Sequence, residues 1–194
     1  MADLEILSRE SLARPALEIA PFLLGKVFVV GERAGRIVEV EAYAGRHDPG
    51  SHAYRGMTPR TEVMFGSAGH LYVYFTYGMH FCANVVGGEV GEAQAVLLRA
   101  LAPMQGLPEM RAARPKAKRD IDLCNGPAKL CQALGIDRAF NGADVVGGDQ
   151  RLFLADDGFV LRDPPMVSTR IGLSAGADLP WRFYIETDPH VSRR

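Results

Sequence analysis

Between Lys26 and Ala100, segment after segment alternates apolar and polar residues with period 2, without the regular strand–helix alternation of β-α-β units. A chain of this pattern is held to antiparallel strands joined by hairpins and short turns. Lys26 to Val30 and Arg36 to Ala44 are expected strands joined by the GERAG turn. Leu71 to Thr76 and Met79 to Val86 form an expected hairpin around Tyr77-Gly78, and Ala95 to Ala100 is the next strand. Arg151 to Ala155, Val167 to Leu173 and Arg182 to Glu186 carry fainter strand patterns. Helix is expected from about Ser11 to Leu24, broken or kinked at Pro15 and Pro21 and stopped by Gly25. A second helix, Pro127 to Leu134, has Asn125 as its cap, proline in its first turn and Gly135 at C′. The longest irregular stretch, about Pro103 to Asp122, is too short to separate domains. The expectation is one α+β domain over residues 1–194, with a curved, largely antiparallel sheet and surrounding helices.

Composition bounds the partners. Hydrophobic residues make up 47% and charged residues 23%, enough apolar material for a core. No apolar run approaches the roughly 18–20 residues that cross a bilayer, and the first residues mix acids with apolar side chains, unlike a signal peptide. Three cysteines, Cys82, Cys124 and Cys131, are too few for a disulfide framework and fit a reducing compartment, so a cytoplasmic protein without targeting segment is expected. A net charge of −1 and a pI near 6.5 do not announce a nucleic-acid partner. The cations are 18 Arg against 4 Lys, and guanidinium matches phosphate oxygens bidentately. Residues 111–119 (RAARPKAKR) hold five cations and no acid; a solvated loop is the plainer reading, a phosphate-contacting one the alternative.

The strand RIVEVEAYAG holds the sharpest chemistry. Period 2 sends Ile37, Glu39, Glu41 and Tyr43 to one face and Arg36, Val38, Val40 and Ala42 to the other. Two carboxylates thus share a face with an aromatic. A solvated face is the bland explanation, but an aromatic wall raises a carboxylate's proton affinity and gives a planar ligand something to stack on. Five of the six tyrosines (Tyr43, Tyr54, Tyr72, Tyr74 and Tyr77) fall between positions 43 and 77, beside His47, His52 and His70. Stacking on a planar substrate explains that concentration better than core packing, which would need a partner for every hydroxyl. Tyr77, at the hairpin tip, is placed as a wedge between stacked bases would be. The cysteines with His80 lack zinc-site spacing, no phosphate-cradling or dinucleotide motif occurs, and no metal or cofactor is expected. Arg99 and Asn84 lie in apolar runs, so Arg99 needs a carboxylate partner and Asn84 a hydrogen-bond partner.

IVEVEAYAG, TPR, MFG, GHLYVYFTYGMHFCANVV, AVLLRAL, NGPAKLCQALGI, RIGL and PWRFYI occur in that order. Together they resemble the 3-methyladenine DNA glycosylases of the alkyladenine type, from about Pro15 to the C-terminus. The resemblance implies a monofunctional base-excision repair hydrolase that flips a damaged purine from duplex DNA and cleaves its N-glycosidic bond, leaving an abasic site. It implies a fold like the C-terminal domain of formyltransferases, with a protruding hairpin that enters DNA. Under it, Glu41 is the general base for the attacking water, Arg99 helps hold that water, and the backbone carbonyl of Ile171 is the water's third ligand. Tyr43 and His52 are opposing walls of the base pocket, Tyr74 is an edge of it, and Leu97 is a further pocket residue. Asn84 crowds the exocyclic amine of guanine, and Tyr77 fills the gap left by the flipped base. Arg55, Arg60, Arg170 and Arg182 are candidate contacts to the DNA backbone.

Gly50 departs from the better-known animal members, which carry a small residue with a side chain there, and Ser174-Ala175 replaces part of their glycine-rich loop after RIGL. The resemblance therefore carries the reaction rather than the lesion range. It implies double-stranded DNA with damaged purines as partner, no membrane, no cofactor and a monomer. A nucleic-acid-binding module on the same scaffold, without turnover, is the alternative; it would keep Tyr77 and lose the Glu41 and Arg99 pair.

Overall fold

The computed structural model describes residues 4–76, 78–149 and 151–192. Its elements are β1 (Glu5–Ile6), α1 (Arg9–Leu12), α2 (Ala16–Leu23), β2 (Val27–Val30), β3 (Arg33–Ala44), β4 (Leu71–Thr76), β5 (His80–Gly87), β6 (Gln94–Gln105), α3 (Leu107–Ala113), α4 (Pro127–Leu134), β7 (Leu152–Asp156), β8 (Met166–Ser168) and β9 (Arg182–Tyr184). Short 3₁₀ turns link several of them. The nine strands among the described residues form one sheet, in the order β1-β7-β2-β3-β6-β5-β4, and every pairing is antiparallel. β9 joins β3 beyond the point where β2 leaves it, and β8 pairs with β9. This is the α+β class expected from period 2.

Helices cover one face. α2 packs on β3 and β6, α4 on β5 and β6. Leu12, Ile19 and Leu23 meet Phe28, Ile37, Val40, Leu98 and Leu101 in the main core, each almost wholly buried. Burying such a side chain stabilises by about 1.5–3 kcal/mol. α2 sits close because Gly87 lacks a side chain: a Cβ there would lie 2.2 Å from Ile19 Cδ1. The opposite face is covered by loop segments instead. Ala53, Met64 and Phe65 pack there on Tyr72, Val86 and Ala95. Among the described residues, no helix is long and apolar enough to cross a membrane.

β3 departs from strict alternation in an instructive way. Its pairing with β6 steps from Ile37↔Leu101 to Glu39↔Ala100 and then to Val40↔Leu98. Val38 is thus an extra residue on β3, and Arg99 a compensating extra residue on β6. A bulge reverses which face the preceding residues occupy. Ile37 accordingly joins Val40 and Ala42 in the main core, which corrects the expectation that it shares the face of Glu39 and Glu41.

Other boundaries moved for local reasons. The N-terminal helix is two helices, since Pro15, which has no N–H to donate, starts α2 rather than kinking a continuous one. Pro21 is tolerated inside α2. The first hairpin turn is shorter than GERAG, with β3 starting at Arg33. β6 runs on to Gln105, and α3 occupies part of the stretch expected to be irregular. α4 has the expected span and a left-handed Gly135 at its end (φ 76°), but Gly126 rather than Asn125 caps its start. Asn125 is instead engaged with Asp122 and Lys129. Of the expected 167–173 strand, only Val167 and Ser168 are in a ladder, within Met166–Ser168.

Candidate active site

One row of cross-strand neighbours runs over five strands: Tyr72 on β4 opposite Asn84 on β5, Asn84 opposite Leu97 on β6, Leu97 opposite Glu41 on β3, and Glu41 opposite Arg182 on β9. Directly opposed residues in an antiparallel sheet share a face. That face is the one the main core does not use, so the residues Tyr72, Asn84, Leu97 and Glu41 come together although the sequence spreads them widely.

Glu41 is fully buried. Its Oε1 accepts the Ile171 N–H at 2.7 Å and faces Arg99 Nη1 at 3.1 Å, and its Oε2 accepts the Tyr43 hydroxyl at 2.9 Å. An ionised carboxylate has about two acceptor sites on each oxygen, so Oε2, with the Tyr43 hydroxyl on one, keeps another. Burial, followed by the negative charge of Glu41, pushes the Tyr43 phenol far above its ordinary range, so at neutral pH it serves only as a neutral donor. Glu39 is also fully buried and accepts from Arg99 Nε and Arg182 Nε, both at 2.8 Å, and from Ser192. Burial alone would raise its carboxyl; the charge of Arg99, the Ser192 N–H and the side-chain bonds from Arg99 and Arg182 together outweigh that and hold it below the usual carboxylate range. Arg99 therefore has the carboxylate partners its apolar surroundings demanded. Asn84 Nδ2 donates to the Tyr72 carbonyl at 3.1 Å.

Beside Glu41 lies a cavity of about 60 Å³ lined by Tyr43, Gly50, Ser51, His52, Met64, Tyr72, Tyr74, Asn84 and Leu173. Engineered cavities of about 150 Å³ admit benzene, so a purine enters only if the lining moves. The His52 ring stands edge-on to Tyr74, with centroids 4.6 Å apart, and its Nδ1 is 3.1 Å from the Tyr72 hydroxyl. The outer edge of His52 is open to solvent. Packing of its inner face, with the Arg60 guanidinium as the smaller cause, pushes the imidazole down to about 4. Two larger hollows, of about 350 and 600 Å³, lie against Pro164, Pro165 and Pro189 and against Arg33 and Arg151. Neither includes Tyr43, through which the small cavity reaches Glu41, so size does not mark the site here; chemistry does.

Two of the candidate DNA contacts are corrected. Arg170 is buried against Asp48 by a two-pronged ion pair at 2.5 and 2.7 Å, with Tyr43 and Trp181 rings over its guanidinium. Arg182 is buried with Glu39. Neither guanidinium can face a phosphate. Arg55 and Arg60 are exposed on the loop that carries His52. In the 111–119 loop, Arg111 and Arg119 pair with Asp120 and Asp122, which removes much of its positive character. Ile171, expected to offer its carbonyl to the water, also donates its amide to Glu41. Tyr77 lies outside the described residues; its hairpin neighbours Phe75 and Met79 are exposed. The cysteines are buried and form no disulfide.

Asp48, Leu173 and Ser192 are site components that sequence reasoning missed. Asp48 precedes Pro49-Gly50, which signals a turn but not a buried acid. Nothing local marks Leu173 or Ser192, because their partners lie on strands far back in the sequence.

A family model described as methylpurine-DNA glycosylase matches residues 10–189. A Burkholderia lata protein is 52% identical over 188 residues, covering 96% of this chain and 91% of its own. A Carboxydothermus hydrogenoformans protein is 47% identical over 194 residues, covering 97% and 100%. One from Streptomyces avermitilis is 49% identical over 194 residues, covering 96% and 90%. All three bear names that assign them to the 3-methyladenine DNA glycosylases.

Proposed function

The chain belongs to the methylpurine-DNA glycosylase family, and on that premise we propose that it is a base-excision repair enzyme hydrolysing the bond between a damaged purine and deoxyribose. The observation that carries this reading is the state of Glu41: buried, held by two hydrogen bonds and the ion pair to Arg99, and left with an acceptor site on Oε2 beside an aromatic cavity. As the C1′–N bond breaks, the sugar gains oxocarbenium character, and water adds to C1′ while giving its proton to that free site. The purine leaves with the bonding electrons. A ring-alkylated, cationic purine departs as a neutral base without an acid catalyst, which suits a site whose phenols are held protonated by burial and cannot deliver a proton readily.

In this reading a purine in duplex DNA is swung out into the cavity, between Tyr43 and His52, with Tyr74 and Leu97 beside it. Tyr77 takes the vacated place in the stack, and Arg55 and Arg60 meet phosphates. Asn84, held by the Tyr72 carbonyl, crowds a 2-amino group and so works against normal guanine. The enzyme acts as a monomer on damaged double-stranded DNA. The non-catalytic alternative is not favoured, since Glu41 and Arg99 are both present and in contact.

Glu41→Gln tests the assignment. The amide keeps the shape but cannot accept a proton from water, so single-turnover base release from a duplex with one alkylated purine should fall at least about 10²-fold. Binding to a duplex with an abasic analogue should persist. A variant that releases base at the wild-type rate overturns the role of Glu41.

A further inference from the structure

Glu39 and Ser192 stand behind the groups just assigned, and the proposed reaction does not use them. Glu39 Oε1 accepts from Arg99 Nε at 2.8 Å, Arg182 Nε at 2.8 Å and Ser192 Oγ at 2.9 Å, while its Oε2 accepts the Ser192 N–H at 2.6 Å. Arg99 Nη2 lies 3.4 Å from Ser192 Oγ. We propose that Glu39, closed from behind by Ser192, is a positioning residue that fixes the Arg99 guanidinium so that it touches Glu41 through one nitrogen only. This rests on the reading of Glu41 as the base.

The geometry supplies the reason. A guanidinium is planar, so holding Nε fixes where both Nη atoms point. Arg99 is also the extra residue of β6, placed where the ladder does not dictate its direction as it does for paired neighbours. With Nε held by Glu39, only Nη1 reaches Glu41, on Oε1. Released from Glu39, the same fork can turn to grip both carboxylate oxygens, the pairing that arginine and carboxylate favour. That turn would fill the Oε2 site which the attacking water needs. Stability alone is a weak explanation of the cluster, since buried ion pairs often contribute no more than apolar residues of equal volume. The same network ties Ser192 to the reaction centre.

The test uses the full chain with Glu39→Gln and Ser192→Ala, each alone and each combined with Arg99→Lys. Single-turnover base release from a duplex carrying one alkylated purine is measured beside affinity for an abasic-analogue duplex and the melting temperature. Glu39→Gln should slow base release by roughly 10-fold or more, short of the loss in Glu41→Gln, while duplex affinity is unchanged. Ser192→Ala, which keeps the N–H bond, should slow it less. In the Arg99→Lys background, where no fork exists to misdirect, both penalties should largely vanish. Should Glu39→Gln not fold, the Ser192→Ala cycle decides alone. Wild-type protein that releases no base from any alkylated duplex overturns the proposed function together with this inference. Active wild type, with variants that only melt lower or whose penalties add to that of Arg99→Lys, overturns the inference alone.

Discussion

Replacing Asp48 should both loosen the fold and disable the site. Arg170 and Asp48 have no exposed side-chain surface. The guanidinium spends two bonds on the carboxylate and one each on the Ala42 and Gly176 carbonyls, both at 3.0 Å, while its Nε has no acceptor. Without the carboxylate, a full positive charge stays buried against two neutral carbonyls and the Tyr43 and Trp181 rings. Removing one partner of such a pair costs about 3–5 kcal/mol. For a chain of this size each kcal/mol moves the melting temperature by about 2–4 °C, so Asp48→Ala should melt roughly 6–20 °C lower. Asp48→Asn should fall near the small end, because one carbonyl oxygen survives. Ile171, whose amide holds Glu41, directly follows Arg170 in the chain, so base release should drop in both variants even below their melting temperatures. Asp48→Leu with Arg170→Met should recover much of the stability, as apolar replacement of buried pairs often does, without recovering the rate. Asp120→Asn, which breaks the exposed Arg111 pair, is the control and should melt as wild type does. Calorimetry and single-turnover kinetics on these proteins suffice. An Asp48→Asn protein that melts within about 2 °C of wild type would show that solvent or another acid reaches Arg170, and would refute the reasoning.

Two further outcomes follow from the pocket wall. In Gly50→Ala the new Cβ would meet Leu173 Cδ1 at 2.9 Å and the Ala175 carbonyl oxygen at 3.0 Å, so the loop after Ile171 must shift; thermal unfolding should show a loss of about 1–3 kcal/mol, and an unchanged midpoint would place that loop elsewhere. The His52 ring should titrate near 4 by NMR, well below the usual value of 6.5. Because the folded state binds this proton less tightly than the unfolded one, His52 favours the fold above pH 6.5, and its contribution is lost as pH falls toward 4. A midpoint at or above 6 would contradict the ring packing against Tyr72 and Tyr74.

The strands from Val27 to Ala100 were legible because hairpin pairing is local and its period is short. α4 was legible through Pro127 and Gly135. What escaped depends on contacts between distant segments. Ile37 and Val38 look alike in any pattern of apolar residues, and only the paired irregularities with Arg99 decide which enters the core. Glu41, Tyr43 and Arg99 stood out as chemistry in apolar company. Arg170 and Arg182 looked like any arginine, since the acids that bury them, Asp48 and Glu39, lie 122 and 143 positions away. Sequence shows which charges exist; the fold decides which are spent internally.

The cross-strand row and the Ser192 bonds have a consequence for synthesis. Glu41 leaves the ribosome early, but Arg99, Ile171, Arg182 and Ser192 follow much later, the last at position 192. Until Ser192 has emerged, Glu39 and Glu41 belong to a strand that lacks its neighbour β9 and the amides that hold its acids. Contacts of such long sequence separation form slowly, and a nascent chain or one clipped before residue 192 carries the proposed general base without its setting. Activity thus waits for Ser192 to dock on Glu39, and its recovery during refolding reports closure of the sheet at β9, where a spectroscopic signal from the early hairpins would report only its beginning.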